Sequence, residues 1–430
     1  MNAMPQVLIA AGGTGGHVFP ALAVGECLAG AGFGLHWCGT RHGLEARVVP
    51  GDRYRMHWLP GQGVRGRSVF RRMRAATLLL LAAVQSIWLM LRVRPSVVLA
   101  MGGYVSAPVG VAAFLTRRPL VVHEQNAIPG MTNRILARLA NRVLEAVPGS
   151  FAPARGATHV GNPVRREIAA LAERSIAGSV PADVPCAGNA AGNDAADAPL
   201  TLLIFGGSQG AQSINRALPV VIAEVMRTAG ATPTEDHHAI EAQKAPTIAP
   251  PAMAPVARRA AHTAIPSTAG CGPFRVIHQT GSRNLPEVKA AYAACKVDAE
   301  VLEFIEDMAG AYGRADIVVA RAGAMSVAEI LVAGLPSILI PYPHAVDDHQ
   351  RANAAALVKA GAAFCIADAE IESAEFRQML ASLINDGDLR ARMRAAASTL
   401  AMPDAALRVA EIIQALAGAA PSRQTEDVHG

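Results

Sequence analysis

Residues 7–17 read VLIAAGGTGGH, and residues 202–211 read LLIFGGSQGA. Each is a short apolar run that stops in a glycine cluster and continues into helix-like sequence. Glycine frees the backbone for positive φ and lets its N–H groups approach a ligand closely. The start of the following helix carries unpaired donors and partial positive charge, so an anionic group such as phosphate is the natural occupant. One such loop is weak evidence, because a plain tight turn between strand and helix looks the same. Two in corresponding places predict two similar α/β domains facing one ligand.

The remaining sequence supports this. At 430 residues the chain exceeds the size at which one core keeps growing. In the first half, strand-like runs fall at 7–11, 35–39, 54–59, 97–101, 120–124 and 142–147, with helical patterns between them at 21–31 and 131–139. In the second half, strands are expected at 201–205, 275–279, 300–304, 316–320, 337–341 and 363–367. Helices are expected there at 213–226, 285–295, 327–333 and 350–360, with a closing helical run over 374–417. This alternation predicts βαβ units and mostly parallel sheets. We place the domains at 1–166 and 201–418, with a linker carrying an insertion at 167–200 and a frayed tail at 419–430. Residues 172–199 are rich in Ala, Gly, Asp and Pro. Residues 229–273 have no helix or strand period and read as a disordered insertion.

Composition bounds the function. Hydrophobic residues make up 51% and aromatics 4%, which fits Ala/Val/Leu-rich α/β packing. The net charge of +5 suits an anionic substrate or a membrane surface and is too small to argue for nucleic acid. Cys27, Cys38, Cys186, Cys271, Cys295 and Cys365 show no CxxC spacing, which points to a reduced, cytosolic protein. The first residues, MNAMPQVLIA, lack the pattern of a signal peptide. Residues 75–91, AATLLLLAAVQSIWLML, lie between Arg71, Arg72 and Arg74 on one side and Arg92 and Arg94 on the other. A core helix and an interfacial helix on anionic lipid both fit them. A membrane span is disfavoured by the strands close on either side. Either favoured reading keeps the protein on the cytoplasmic side.

Familiar nucleotide motifs fit poorly. Neither loop ends in GK[ST], and Val18 stands where a dinucleotide fingerprint wants a third glycine. Gly102-Gly103-Tyr104-Val105-Ser106 is a third glycine turn at a strand end, where open α/β sheets bind ligands. His17 reads equally as a general base and as a residue bonding locally at a helix start. His123-Glu124-Gln125-Asn126 puts four polar side chains in a row, poor core material that suits a cleft. Glu329 either completes a capping box with Ser326 or accepts ribose hydroxyls. Arg165 either reaches a nucleotide or pairs on the surface. The D-x-D at Asp386-Gly387-Asp388 reads as a helix start rather than a metal clamp. His237, His238 and His262 lack partners for a metal site.

The motifs GGTGGH, GGYVS, HEQN, GNPVR, GGSQGA, FIEDM, ARAGAMSVAE and DDHQRANA follow one another over almost the whole chain. Together they resemble the MurG family, the peptidoglycan N-acetylglucosaminyltransferases that convert lipid I to lipid II. The likeness does not extend over 172–199 and 229–273. Met325 and Ala328 also replace the family's more usual Leu and Ser. The resemblance implies a GT-B architecture, two Rossmann-like domains across a cleft. UDP-GlcNAc would sit on the C-terminal domain and the lipid-linked acceptor on the N-terminal one. Carried over by motif, the donor contacts are Thr14, Gly15, Gly16, Asn126, Arg165, Ser208, Ile305, Ala324, Met325, Ser326, Val327, Ala328, Glu329 and Gln350. Glu329 would hold the ribose, Ile305 would frame the uracil through its backbone, and Ser208 would touch the phosphates. The stretch 71–94 resembles the family's membrane-docking patch.

The implied chemistry is one inverting displacement by the MurNAc 4-hydroxyl, with His17 the first candidate base and Glu124 the reserve. No metal and no cofactor are expected. The implied partners are UDP-GlcNAc, lipid I, the cytoplasmic face of the membrane with its anionic lipids, and proteins of cell-wall synthesis and division. The rival readings are a nucleotide-sugar 2-epimerase or a soluble-acceptor glycosyltransferase on the same fold, and a non-catalytic, membrane-docking binder of UDP-sugars. A nicotinamide oxidoreductase suffers from the missing third glycine.

Overall fold

The computed structural model describes residues 4–61, 69–177, 199–206, 212–229 and 274–419. The expectations for the linker insertion, residues 230–273 and the tail from 420 lie outside these residues, as do Ser208 and its glycine loop. Two parallel sheets form the scaffold. The first contains β1 (Gln6–Ala11), β2 (Gly34–Gly39), β3 (Arg55–Trp58), β4 (Val97–Gly102), β5 (Leu120–Glu124), β6 (Arg142–Glu145) and β7 (Thr158–His159), in the order 3-2-1-4-5-6-7. The second contains β8 (Leu200–Phe205), β9 (Phe274–Gln279), β10 (Ala299–Leu302), β11 (Ile317–Ala320), β12 (Ser337–Leu339) and β13 (Ala363–Cys365), in the order 10-9-8-11-12-13. Both are Rossmann-like. The order reverses between β1 and β4 and again between β8 and β11, and crevices open outside the carboxyl ends of the strands there.

Central strands such as β4 are buried along their whole length, as expected where helices cover both faces of a parallel sheet. At the end of β1 the register against β4 shifts between Ala10 and Ala11, so that Ala11 pairs with Gly102. This irregularity turns the chain out of the sheet where the first glycine loop begins. Helix α1 (Gly15–Gly30) starts well before the expected residue 21 and runs through Pro20. Proline removes only the hydrogen bond to the carbonyl four residues earlier, near the open end of the helix.

After α2 (Glu45–Val48) comes α3 (Val69–Val93), which contains the apolar segment. Ala82, Ser86, Leu89 and Met90 face the core, while Leu80, Val84, Trp88 and Leu91 point outward with more than half their surface exposed. Among the described residues, no helix is long and apolar enough to cross a membrane.

The remaining helices are α4 (Ser106–Leu115), α5 (Met131–Leu136), α6 (Arg166–Ala177), α7 (Gln212–Ala229), α8 (Leu285–Cys295), α9 (Met308–Arg314), α10 (Ala324–Ala333), α11 (His349–Ala360), α12 (Ala374–Asn385), α13 (Gly387–Leu400) and α14 (Ala405–Ala419). Two of them correct the expected boundaries. The segment read as the start of a linker at 167 is helix α6, whose Ile168 joins Val164 in the core of the second domain. The second domain was expected to run to 418, but α14 packs on α1. Its Val409, Ala410 and Ile413 are buried in the first domain's core beside Val7, Leu28 and Val97. Burying two large aliphatic side chains is worth about 1.5–3 kcal/mol each, ample to hold a terminal helix. The chain therefore passes between domains twice, and the passages touch: a Cβ on Gly161 (φ +80°) would lie 2.7 Å from Met402 Cβ and 3.2 Å from Ala405 Cβ.

Candidate active site

The loop after β1 is fixed by a residue that sequence reasoning missed. Glu45 is fully buried at the start of α2. Its Oε2 accepts from Gly13 N at 3.0 Å, and its Oε1 accepts from Thr40 N at 2.7 Å and Thr40 Oγ1 at 2.8 Å. Gly12 has to be glycine for the same reason, since a Cβ there would meet Glu45 Oε1 at 2.7 Å. Gly13 takes φ +93° and turns the chain into α1. Thr14 is the N-cap, and its carbonyl accepts from His17 N and Val18 N. Its side chain makes no capping bond, and Gly15 and Gly16 open the helix.

The glycine turn after β4 closes against this loop. Gly103 (φ +82°) approaches so tightly that a Cβ would lie 2.3 Å from Gly12 O. Ser106 Oγ ties the two together, donating to Ala10 O at 2.8 Å and accepting from Gly102 N at 3.0 Å. The half-buried His17 ring lies on Gly102, whose Cβ would be 2.8 Å from its Cε1. His17 Nδ1 is 2.9 Å from Gln125 Oε1. The HEQN motif at the end of β5 thus reaches the first loop.

Glu124 is almost fully buried and surrounded by donors. Its Oε1 accepts from Asn126 N and Nδ2 at 3.0 and 3.1 Å, and its Oε2 from Gly130 N at 3.1 Å and Asn133 Nδ2 at 2.9 Å. Four donors fill the lone-pair positions of a carboxylate. Asn126 faces the other domain: Asn353 Nδ2 on α11 donates to its Oδ1 at 3.3 Å and to Ala322 O at 3.2 Å. Ala127 N in turn donates to Asn353 Oδ1 at 2.8 Å.

Across the cleft, α10 starts three residues before the expected 327, and its N-cap is Gly323 with no side-chain capping bond. The capping-box reading of Ser326 and Glu329 is therefore replaced: Glu329 lies past the first turn and is buried. Its Oε1 accepts from Arg165 Nη2 at 3.0 Å, and its Oε2 accepts from Tyr312 Oη at 3.2 Å. Burial raises the pKa of Glu329, while Arg165 and the Tyr312 hydroxyl oppose that shift. Burial, reinforced by the Glu329 charge, holds the Tyr312 hydroxyl well above its usual range. The Arg165 guanidinium also lies over the Phe19 ring of α1, 5.4 Å from its centroid, so it spans both domains.

Ile305 N donates to Gln279 Oε1 at 3.0 Å, and the buried Gln350 accepts from Tyr342 N at 2.8 Å. Arg321, also missed by the sequence, is buried beneath this edge; it pairs with Asp368 and donates to Ser213 Oγ at 2.8 Å near the start of α7. Asp386 caps α13 by accepting from Leu389 N at 2.7 Å, in agreement with the helix-start reading. Among the described residues, no group of three His, Cys, Asp or Glu side chains is placed to hold a metal.

Of the motif residues, the structure gathers Thr14, Gly15, Gly16, His17, Glu124 and Asn126 at the first crevice. It gathers Arg165, Ala324 through Glu329, Ile305 and Gln350 at the second. Gln125, Asn353, Tyr312 and Glu45 join them.

Residues 7–145 match the model of the glycosyltransferase family 28 N-terminal domain, and residues 201–409 match the family's C-terminal domain. A protein of Thiobacillus denitrificans named UDP-N-acetylglucosamine--N-acetylmuramyl-(pentapeptide) pyrophosphoryl-undecaprenol N-acetylglucosamine transferase is 41% identical. That alignment covers 96% of this chain and 98% of the relative. An identically named Aeromonas hydrophila protein is 40% identical, over 96% of this chain and 97% of its own length. The crystal structure of Acinetobacter baumannii MurG superposes with a TM-score of 0.68 at 30% identity, covering 96% of this chain and 99% of that one. A UDP-N-acetylglucosamine 2-epimerase structure superposes at 0.57 with 13% identity, over 96% and 97% of the two chains, a likeness of fold alone.

Proposed function

Because this chain belongs to glycosyltransferase family 28, we propose that it moves N-acetylglucosamine from UDP-GlcNAc to the 4-hydroxyl of the MurNAc residue of lipid I, giving lipid II. The observation that carries this reading is the end-to-end match, at 41% identity, to a relative named for that reaction. The geometry of the cleft supports a role for a named group at each step.

The donor's ribose lies against Glu329, whose carboxylate Arg165 and Tyr312 already hold in place. Uracil meets the backbone at Ile305, where it replaces Gln279 as the partner of the amide. The diphosphate faces the starts of α1 and α10, whose amides stabilise the charge that grows as UDP leaves. The motif alone assigns Ser208 to the phosphates. His17 Nε2 takes the proton from the acceptor 4-hydroxyl as that oxygen attacks the anomeric carbon. The bond from that carbon to the diphosphate oxygen breaks, its electron pair leaves with UDP, and the new linkage is β. Glu124, with its lone pairs filled by loop donors, braces the Asn126 turn, and His17 is the base. Closure of the cleft through Asn126 and Asn353 sets the reacting groups in position.

The outward face of α3 docks on the membrane. Leu80, Val84, Trp88 and Leu91 form the apolar patch, and Arg92, over the Trp88 ring at 5.2 Å, reaches anionic headgroups. On this reading the protein works peripherally at the cytoplasmic face of the inner membrane, beside the proteins of wall growth and division; the exposed apolar patch with its flanking arginine is what supports it.

The test is transfer of labelled GlcNAc from UDP-GlcNAc to a lipid I analogue, with and without EDTA. No product would refute the activity, and activity abolished by EDTA would refute a metal-free displacement.

A further inference from the structure

A chain of three hydrogen bonds runs inward from His17, and its far end determines its near end. His123 on β5 is fully buried, and its Nε2 lies 3.0 Å from the carbonyl oxygen of Gly161. A carbonyl can only accept, so Nε2 carries the proton. Burial pushes the His123 ring down to about 4, so at neutral pH it holds one proton and its Nδ1 offers a lone pair. Gln125 Nε2 lies 3.2 Å from that Nδ1 and 3.1 Å from His123 O. Two acceptors at one end of the amide fix its NH₂ group there, which turns Oε1 toward His17 Nδ1 at 2.9 Å. An amide oxygen also only accepts, so His17 Nδ1 must be the donor.

We infer that Gln125 and His123 are positioning residues that hold neutral His17 with its proton on Nδ1 and its lone pair on Nε2, in a direction set by the Gly161 carbonyl. The inference rests on the reading of His17 as the base. Free histidine favours the opposite tautomer, with the proton on Nε2, and in that form the cleft-facing nitrogen could not accept a proton. Which nitrogen is protonated is decided by the bond the other one makes. Here that bond is made by a side chain whose own orientation is fixed from the core. Gly102 completes the arrangement. Its φ of +108° and missing side chain leave room for the His17 ring against the turn, where a Cβ would lie 2.8 Å from Cε1 and Nδ1.

The test combines spectroscopy and kinetics on the full-length protein labelled with ¹⁵N-histidine. The His17 resonances, assigned by their loss in His17→Ala, should show the Nδ1–H tautomer in the ligand-free wild type at pH 7.5. An Nε2–H signature would overturn the inference, whatever the activity of the variants. Gln125→Leu should move His17 toward the Nε2–H form and lower kcat by at least about tenfold while leaving KM for UDP-GlcNAc unchanged. Gln125→Glu, which still accepts from Nδ1–H, should restore the wild-type tautomer. A Gln125→Leu variant with wild-type kcat would overturn the positioning role. If His17→Ala itself keeps full turnover, the base assignment fails while the tautomer result stands, so the two failures are told apart.

Discussion

Replacing Leu80 and Leu91 together with serine tests the docking face of α3 without touching the core. The two side chains are 66% and 61% exposed, so most of their apolar surface is free to enter a lipid interface. Full burial of a leucine side chain is worth about 2 kcal/mol, and these exposed fractions leave about 1.3 and 1.2 kcal/mol for the membrane. The double variant should lose about 2.5 kcal/mol of partition energy, or roughly 60-fold in binding. Co-sedimentation with vesicles containing anionic phospholipid measures this directly, and the thermal midpoint should hardly move because neither position supports the fold. Leu89→Ser is the control. That residue is 3% exposed on the opposite side of the same helix, and creating a cavity there should cost about 2–5 kcal/mol of stability with no selective loss of vesicle binding. If Leu80→Ser/Leu91→Ser binds vesicles as the wild type does, α3 is not the docking element.

Other outcomes follow from the cleft and the core. Glu329→Gln should raise KM for UDP-GlcNAc by about ten- to hundredfold, the worth of one charge-assisted hydrogen bond of about 1.5–3 kcal/mol. An unchanged KM in a folded variant would leave Glu329 as no more than a partner of Arg165. Glu45→Gln puts an NH₂ group against one of the three donors around the buried carboxylate and should cost about 1–3 kcal/mol in urea denaturation, and kcat should fall with it; full stability and activity would show that the glycine loop needs no brace. Burial holds His123 and His278 down to about 4 and about 3, below the ordinary 6.5. The unfolded chain therefore binds more protons than the folded one as pH falls below 6.5, and stability present above that pH is lost on the way toward 4, by roughly 3 kcal/mol per ring. Ring NMR titrations should show both histidines neutral at pH 5 in the folded protein; protonation of either near 6.5 would contradict their burial.

Most of the scaffold was legible because parallel strands are buried on both faces and read as apolar runs that end in glycine. Helix 285–295 emerges with the expected limits, as does strand 120–124. What periodicity does not carry is the domain a helix covers. The apolar face of α14 looks the same whether it packs on the near sheet or the far one, and α6 was hidden by its position before a linker-like stretch. In the site, the glycine turns and the HEQN motif identified themselves by composition. Glu45 did not, because an acid in a four-residue helix reads as a solvent-facing group, and it takes the distant Gly13 amide, with two donors on nearby Thr40, to make it a brace. Glu329 was ambiguous because its spacing from Ser326 suits a cap, and the choice fell to where the helix begins. The orientation of the Gln125 amide depends on a carbonyl 36 residues further along the chain, beyond the reach of any local pattern.

The two passages between the domains lie against each other, with Gly161 on one and Met402 and Ala405 on the other. Two chain segments packed this closely act as one strap rather than as two independent tethers. Any relative movement of the two halves has to carry both passages together, since no room for a side chain is left between them at Gly161. The Gly161 carbonyl that His123 Nε2 meets at 3.0 Å sits on that strap, so the hydrogen-bonded line toward His17 and the passage between domains share a fixed point.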